Sequence, residues 1–198
     1  MRERINHAVC ILKNSENMII SFCIVYLAGI VLGVVFSNQS ANKFILKDQV
    51  CNFYIIILNP DKSVFSILFM RLLHNLGYIL LIGAAGIVIY TFPIEFFIIF
   101  YRGLILGSVG CAFYSLYGIS GISIYIFIVV PQNLIVTFGL VVTGILNYKY
   151  IKGLCRKGKF DLTEIGWNCI LGFVICAVGA IYEFLLLLIL IRPLHFYF

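Results

Sequence analysis

Three ionisable side chains lie within long apolar runs of this sequence: Glu95, Arg102 and Glu183. A charge near the centre of a bilayer costs at least about 2.5 kcal/mol unless it is paired or reaches water. Glu95 and Arg102 share one helix face but stand about 10 Å apart along the axis, too far for a direct pair. Arg102 is therefore predicted to pair with Glu183 on another helix, with the outer water interface as the alternative for Glu183. An internal ion pair is favoured over a proton or substrate path, because a path would need more groups in line.

A second polar group interrupts the apolar run at residues 129–136, which read VVPQNLIV. Pro131 has no amide hydrogen and frees the carbonyl of Phe127, so a kink is predicted there. Gln132 and Asn133 are predicted to supply the polar groups that repair the broken hydrogen bonds. The alternative is a site at Pro131, Gln132 and Asn133 that recognises a partner or ligand.

His74 and Asn75 form a polar pair predicted to lie close to the outer membrane face. A histidine there could bind a metal or sense pH, but no Asp, Glu or Cys stands at ligand spacing, so an interfacial hydrogen-bonding role is favoured. The seven cysteines contain no C-x-x-C pair and are interpreted as small helix residues. The sequence has no protease, hydrolase or phosphate-loop motif. No catalytic residue, metal or cofactor is predicted, and the chain is not expected to be an enzyme.

The elements that must hold these residues are membrane helices. Of the 198 residues 63% are hydrophobic and 11% charged, with a mean hydropathy of +1.10, which excludes an ordinary soluble domain. The pattern predicts an all-α, polytopic protein that forms a single integral membrane domain over residues 1–198 and contacts the lipid bilayer. About five transmembrane helices are predicted, over residues 18–36, 72–92, 94–117, 122–147 and 165–191.

The connections predict an orientation. Five basic residues lie in the loop 148–164, which the positive-inside rule places in the cytoplasm, and this also explains the net charge of +6 without nucleic-acid binding. By parity the N-terminus is cytoplasmic, the C-terminus is outside, and residues 37–71 form an outer interfacial segment whose apolar pieces, 53–58 and 64–70, are too short to span. The first apolar run is longer than a signal-peptide core, which favours an uncleaved first helix over a signal peptide.

Small residues predict where helices meet. The first span carries Gly29 and Gly33 at G-x-x-x-G spacing, and the second, third and fourth carry further small-residue stripes: Gly83, Ala84 and Gly86; Gly103, Gly107 and Cys111; and Gly139, Thr143 and Gly144. Such stripes let helix backbones approach closely. The second, third and fourth spans are predicted to pack backbone to backbone, with the second and third forming a tight hairpin at Pro93.

The order of these features resembles the stage II sporulation protein M family (DUF95). The resemblance covers residues 70–150, where His74-Asn75 is followed by Pro93, YRGLILGSVG at 101–110, a Gly-x-x-Gly turn at 118–121 and VVPQNLIVTFGLVVTGILNYK at 129–149. Arg102-Gly103 stands at the N-G of the family pattern and Pro131-Gln132-Asn133 at its P-H-G/N step. Gln132 therefore replaces a histidine, and the acidic residue that many members of the wider family carry after this step is absent.

The resemblance implies a non-catalytic membrane scaffold. Such a protein would lie in the septal or engulfing membrane of the sporulating cell and help to localise a peptidoglycan-degrading complex during engulfment of the forespore. The implied partners are stage II sporulation proteins D and P, which would supply the catalysis. The alternative function is a small membrane transporter or channel subunit with a site near Arg102, Glu183 and Pro131, where a broken helix would present backbone groups.

Overall fold

The computed structural model describes residues 2–38, 64–87, 92–157 and 162–186. Within these ranges lie six α-helices: α1 Arg2–Lys13, α2 Glu16–Ser37, α3 Val64–Ile87, α4 Phe92–Ile124, α5 Val130–Lys157 and α6 Leu162–Leu186. A π-helical turn, Tyr125–Val129, joins α4 to α5, and these described ranges contain no β-strand. Five of the helices are long and apolar enough to cross a membrane. The prediction of an all-α polytopic membrane protein is confirmed.

Several helices extend beyond the predicted spans, and α3 and α5 do so by the most. Residues 64–70, predicted as an interfacial segment, are the first two turns of α3, and α5 continues through the predicted loop as far as Lys157. The apolar pattern marks only the part of a helix that suits hydrocarbon, whereas the backbone stays hydrogen-bonded if the helix continues. The remainder of the predicted interfacial segment (residues 39–63), the hairpin connection (88–91) and the end of the last predicted span (187–191) lie outside the described residues.

Helices α2 and α4 run parallel and share the most extensive helix contact of the described bundle. Gly29 and Gly33 of α2 lie against backbone carbonyls of α4, and Gly103 and Gly107 of α4 lie against those of α2. A Cβ atom at any of these four positions would collide with a carbonyl oxygen of the facing helix. The predicted third-span stripe is thus a packing face, but its partner is the first span. This packing makes α2 part of the described bundle.

Helices α5 and α6 run antiparallel and form the second close pair. Gly139 of α5 faces Cys176 and Gly172, and Gly172 in turn lies against the hydroxyl of Thr143. Helix α3 packs mainly on α6 and α5, with a smaller contact to α4. The predicted backbone contact among the second, third and fourth spans is therefore wrong: the small residues pair α2 with α4 and α5 with α6. The order of the helices along the chain does not decide which helix packs against a given small-residue face.

The chain reverses direction at the predicted turn near residues 117–121. Gly118 has φ +62°, a left-handed conformation that interrupts α4 and that glycine adopts without steric cost. Gly121 then packs against the carbonyl of Phe113, and the Tyr125 hydroxyl donates a hydrogen bond of 2.9 Å to the carbonyl of Leu106. The segment after Gly118 therefore folds back along α4 and leads into α5.

The bundle has two chemically different ends. The basic end carries Lys149 and Lys152 of α5, and α1 packs there: the ammonium of Lys149 donates to the carbonyl of Asn14 at 2.8 Å. The far end carries Arg71 of α3 and Glu183 of α6. Between the ends lies an apolar core made by α3, α4, α5 and α6, whose most buried members are Ile79, Ile82, Ile98, Val136, Leu140 and Cys176.

Candidate functional site

Near the far end, three helices meet at the carboxylate of Glu183. The side chain is 5% exposed, and Arg71 Nη2 lies 3.3 Å from its Oε1. Gln132 Nε2 donates a hydrogen bond of 2.5 Å to Oε2. Both carboxylate oxygens therefore have a partner, which is the condition under which a buried ion pair is tolerated. We call Arg71, Gln132 and Glu183 the Glu183 cluster; it links α3, α5 and α6.

The predicted pair between Arg102 and Glu183 is wrong, because Glu183 pairs with Arg71 instead. Sequence reasoning assigned Arg71 to the interfacial segment ahead of the second span. The helix in fact begins two turns earlier, at Val64, and carries Arg71 onto the face that meets α6. The apolar run 64–70 directly before Arg71 was the signal that could have revealed this.

Arg102 lies in the middle of the bundle and contacts α3. Its Nη2 donates a hydrogen bond of 3.1 Å to Asn75 Oδ1, and its guanidinium carbon lies 5.0 Å from the centroid of the Tyr78 ring, a cation–π contact. Asn75 is 3% exposed. The predicted His74-Asn75 pair thus separates: Asn75 faces the interior, whereas His74 is exposed on the outside of the bundle and packs edge-on against Tyr78.

Three polar atoms near Arg102 are buried: Arg102 Nη1, which makes no hydrogen bond, and the hydroxyls of Tyr26 and Thr137. The two hydroxyls lie next to each other and can hydrogen-bond to one another, and Arg102 lies near Tyr26 and Cys176. We call Tyr26, Asn75, Tyr78, Arg102 and Thr137 the Arg102 cluster. Together with Cys176, its members come from all five spanning helices.

The predicted break at Pro131 takes the form of a π-helical turn immediately before the proline. Pro131 has no amide hydrogen to donate to the carbonyl of Phe127. This carbonyl instead accepts a hydrogen bond of 3.2 Å from the Tyr182 hydroxyl of α6. Asn133 Nδ2 donates to the carbonyl of Val129 at 2.9 Å, beside the break. The amide of Gln132 donates to Glu183, so the carbonyl that Pro131 frees is bonded by Tyr182 and by neither of the two predicted residues.

Glu95 lies toward the basic end, apart from both clusters. It is 2% exposed, its carboxylate lies against Gly144, and its Oε2 makes no hydrogen bond. One turn further along α5, Asn147 Oδ1 accepts a hydrogen bond of 3.0 Å from Asn168 of α6. The structure therefore does not bring Glu95, Arg102 and Glu183 together in one site.

Within the described part of the chain, no three His, Cys, Asp or Glu side chains could hold a metal ion. The cysteines that the structure describes there are free thiols: Cys10, Cys23, Cys111, Cys169 and Cys176. The buried polar side chains join helices to one another. The Glu183 cluster joins three helices, and the Arg102 cluster brings together side chains from four helices.

The chain matches a known protein family. The model of the family described as stage II sporulation protein M matches residues 22–190. The matched stretch includes α3 to α6, most of α2, and every residue of the two clusters. No curated protein and no solved structure matches the chain.

Proposed function

Since the chain belongs to the stage II sporulation protein M family, we propose that it is a non-catalytic membrane scaffold that localises a peptidoglycan-degrading complex during forespore engulfment. Family membership makes it a sporulation-related multi-pass membrane protein, and the match over residues 22–190 is the observation that carries the proposal. The proposed partners are stage II sporulation proteins D and P, and the proposed location is the sporulation septum and engulfing membrane.

The architecture suits an anchor. Both oxygens of Glu183 are bound within the bundle, and the glycine interfaces of α2 with α4 and of α5 with α6 bring backbones together. These contacts hold the spans in one arrangement. A helix bundle held in this way provides a fixed position in the membrane to which wall-cleaving partners attach. Those partners carry out the cleavage.

The test is co-purification from sporulating cells. The full chain carries an affinity tag, is extracted in mild detergent and is captured. We expect both stage II sporulation proteins D and P to be recovered with it, and neither with an equally tagged, equally expressed polytopic membrane protein that serves as control. Recovery of the chain alone, under conditions in which an unrelated membrane complex of the same cells stays intact, would contradict the scaffold role.

The second candidate is a small transporter or channel subunit with a site near Arg102, Glu183 and Pro131. The buried Nη1 of Arg102, which makes no hydrogen bond, favours it. The repaired break weighs against it, because the carbonyls of Phe127 and Val129 already accept hydrogen bonds from Tyr182 and Asn133 and cannot freely coordinate an ion. In proteoliposomes a transporter would show flux that Arg102→Ala abolishes. A wild-type chain that carries no flux under ion or solute gradients would remove this candidate.

A further inference from the structure

Lysine side chains of two helices come together at the basic end of the bundle. Lys13 is the last residue of α1, and Lys149 and Lys152 lie on α5. The ammonium of Lys149 donates to the carbonyl of Asn14 at 2.8 Å, so the residue next to Lys13 is in direct contact with α5. Lys13 and Lys152 are exposed. We call Lys13, Lys149 and Lys152 the basic patch.

The chain around the basic patch carries more positive than negative charge. Residues 1–16 contain three basic and two acidic residues, and residues 148–164 contain five basic and two acidic ones. Glu16, in the first turn of α2, is an exposed carboxylate close to Lys13 in sequence. The acidic residues offset only part of the positive charge, and a surface with one dominant sign of charge attracts partners of the opposite sign.

Aromatic side chains indicate the depth of the basic patch in the membrane. Trp167, in the second turn of α6, is 44% exposed, and its neighbour Asn168 donates a hydrogen bond to Asn147 of α5. The ring of Tyr148 lies 5.8 Å from the ammonium of Lys152. Tryptophan and tyrosine concentrate where the membrane meets water, at the level of the lipid headgroups. The basic patch therefore lies at headgroup depth.

Helix α1 supports the same placement. Its 12 residues are too few to span a bilayer. Ala8, Ile11 and Leu12 pack with apolar residues of α5 and α6, whereas Val9 is 57% exposed. A short helix that combines exposed apolar and basic residues is typical of a helix lying in the membrane interface, where its apolar side chains reach the acyl boundary.

We propose that the basic patch binds the headgroups of anionic phospholipids, so that this end of the bundle is surrounded by anionic lipid in preference to neutral lipid. The ammonium groups of Lys13 and Lys152 pair with lipid phosphates. Lys149 holds the end of α1 against α5 through Asn14, which keeps the lysines of the two helices together. Their headgroup depth favours a lipid over an acidic protein segment as the ligand. This binding is independent of the scaffold function.

The experiment measures the quenching of Trp167 fluorescence by brominated lipids. Trp167 is the only tryptophan of the chain, and it lies one turn before Leu171, which packs in the same apolar cluster as Ala8 of α1. The full chain is reconstituted in phosphatidylcholine vesicles with a fixed minor fraction of lipid brominated high on its acyl chains, either phosphatidylglycerol or phosphatidylcholine. We expect brominated phosphatidylglycerol to quench more strongly. This preference should fall as salt is raised, because salt screens exposed charges.

Variants test whether the basic patch causes the preference. Lys13→Gln and Lys152→Gln each remove one exposed positive charge, and each should reduce the preference by up to about fivefold, the factor that one basic residue near an anionic surface contributes. Lys13→Arg and Lys152→Arg keep the charge and should retain the preference. Lys47→Gln combined with Lys62→Gln, in the predicted outer segment, is the charge-matched control for the combined Lys13→Gln and Lys152→Gln variant, and should leave the preference unchanged.

Three results would overturn the proposal. Equal quenching of the wild type by the two brominated lipids would do so, and would point to an acidic protein segment as the ligand of the basic patch. A preference that the combined Lys13→Gln and Lys152→Gln variant retains in full would place the anionic lipid elsewhere on the protein. A preference that the control loses to the same extent would show that it follows the net charge of the whole chain.

Discussion

Gln132 Nε2 donates a hydrogen bond of 2.5 Å to Glu183 Oε2, and this contact joins α5 to α6 directly after the π-helical turn. The break in the helix and the polar residues beside it thus have separate tasks. The Tyr182 hydroxyl donates to the Phe127 carbonyl that Pro131 frees, and Asn133 donates to the neighbouring carbonyl of Val129. Gln132 donates to one oxygen of the buried Glu183 carboxylate, and Arg71 pairs with the other oxygen and neutralises its charge.

The Arg71–Glu183 pair predicts an asymmetric double-mutant cycle. Arg71→Leu leaves Glu183 charged and buried and should lower the free energy of unfolding by about 3 kcal/mol. Glu183→Leu should cost less, because the side chain of Arg71 is 34% exposed and can turn toward water. The double variant should lose less than the sum of the two, as measured by denaturant unfolding in mixed micelles. Arg102→Leu combined with Glu183→Leu is the control; strong coupling in that pair would contradict the assignment of Arg71 as partner.

The α2–α4 interface predicts a strong dependence on glycine. Gly103→Ala and Gly107→Ala each place a methyl group against a carbonyl of α2, and each should cost about 1–3 kcal/mol by overpacking. Gly77→Ala is the matched control, since no atom lies near a Cβ at that position of α3; it should be neutral or stabilising by up to about 1 kcal/mol. The readout is the unfolding free energy, and equal effects at all three positions would refute the close packing.

The hydrogen bond from Tyr182 to Phe127 predicts a dependence on Pro131. In the wild type, Tyr182→Phe leaves the Phe127 carbonyl without its partner and should cost about 1 kcal/mol. In a Pro131→Ala background residue 131 has an amide hydrogen that can reach this carbonyl, so the same change should cost clearly less. Unfolding measurements on the four proteins give the coupling. Additive losses would show that the Tyr182 hydroxyl does not compensate for the proline.

The proposed orientation predicts which positions a membrane-impermeant maleimide reaches. In a variant without native cysteines, Ser120→Cys near the turn at Gly118 should be labelled in intact cells lacking an outer permeability barrier. Lys152→Cys at the basic end should be labelled only after the membrane is opened, because basic ends face the cytoplasm. Both positions are exposed. Labelling of Lys152→Cys in intact cells would invert the orientation.

Most of the fold could be predicted from local pattern. Hydropathy and length gave the five spans, and the glycines gave the faces at which backbones approach. The turn near Gly118 and the break at Pro131 followed from the backbone preferences of glycine and proline. The Glu183 cluster was missed because the apolar run 64–70 is too short to span a membrane by itself and was assigned to the interface, whereas it forms the start of α3 and brings Arg71 to α6.

The sequence by itself determined that the chain is a helical membrane protein with costly polar groups inside, because hydrophobicity, helical period and the special backbones of Gly and Pro are properties of single segments. Only the tertiary structure decided the partners: Arg71 for Glu183, Asn75 for Arg102, and α2 for α4. These choices depend on how helix faces far apart in the chain fit together. Several faces of similar composition compete in such a bundle, and shape and hydrogen-bond geometry select among them.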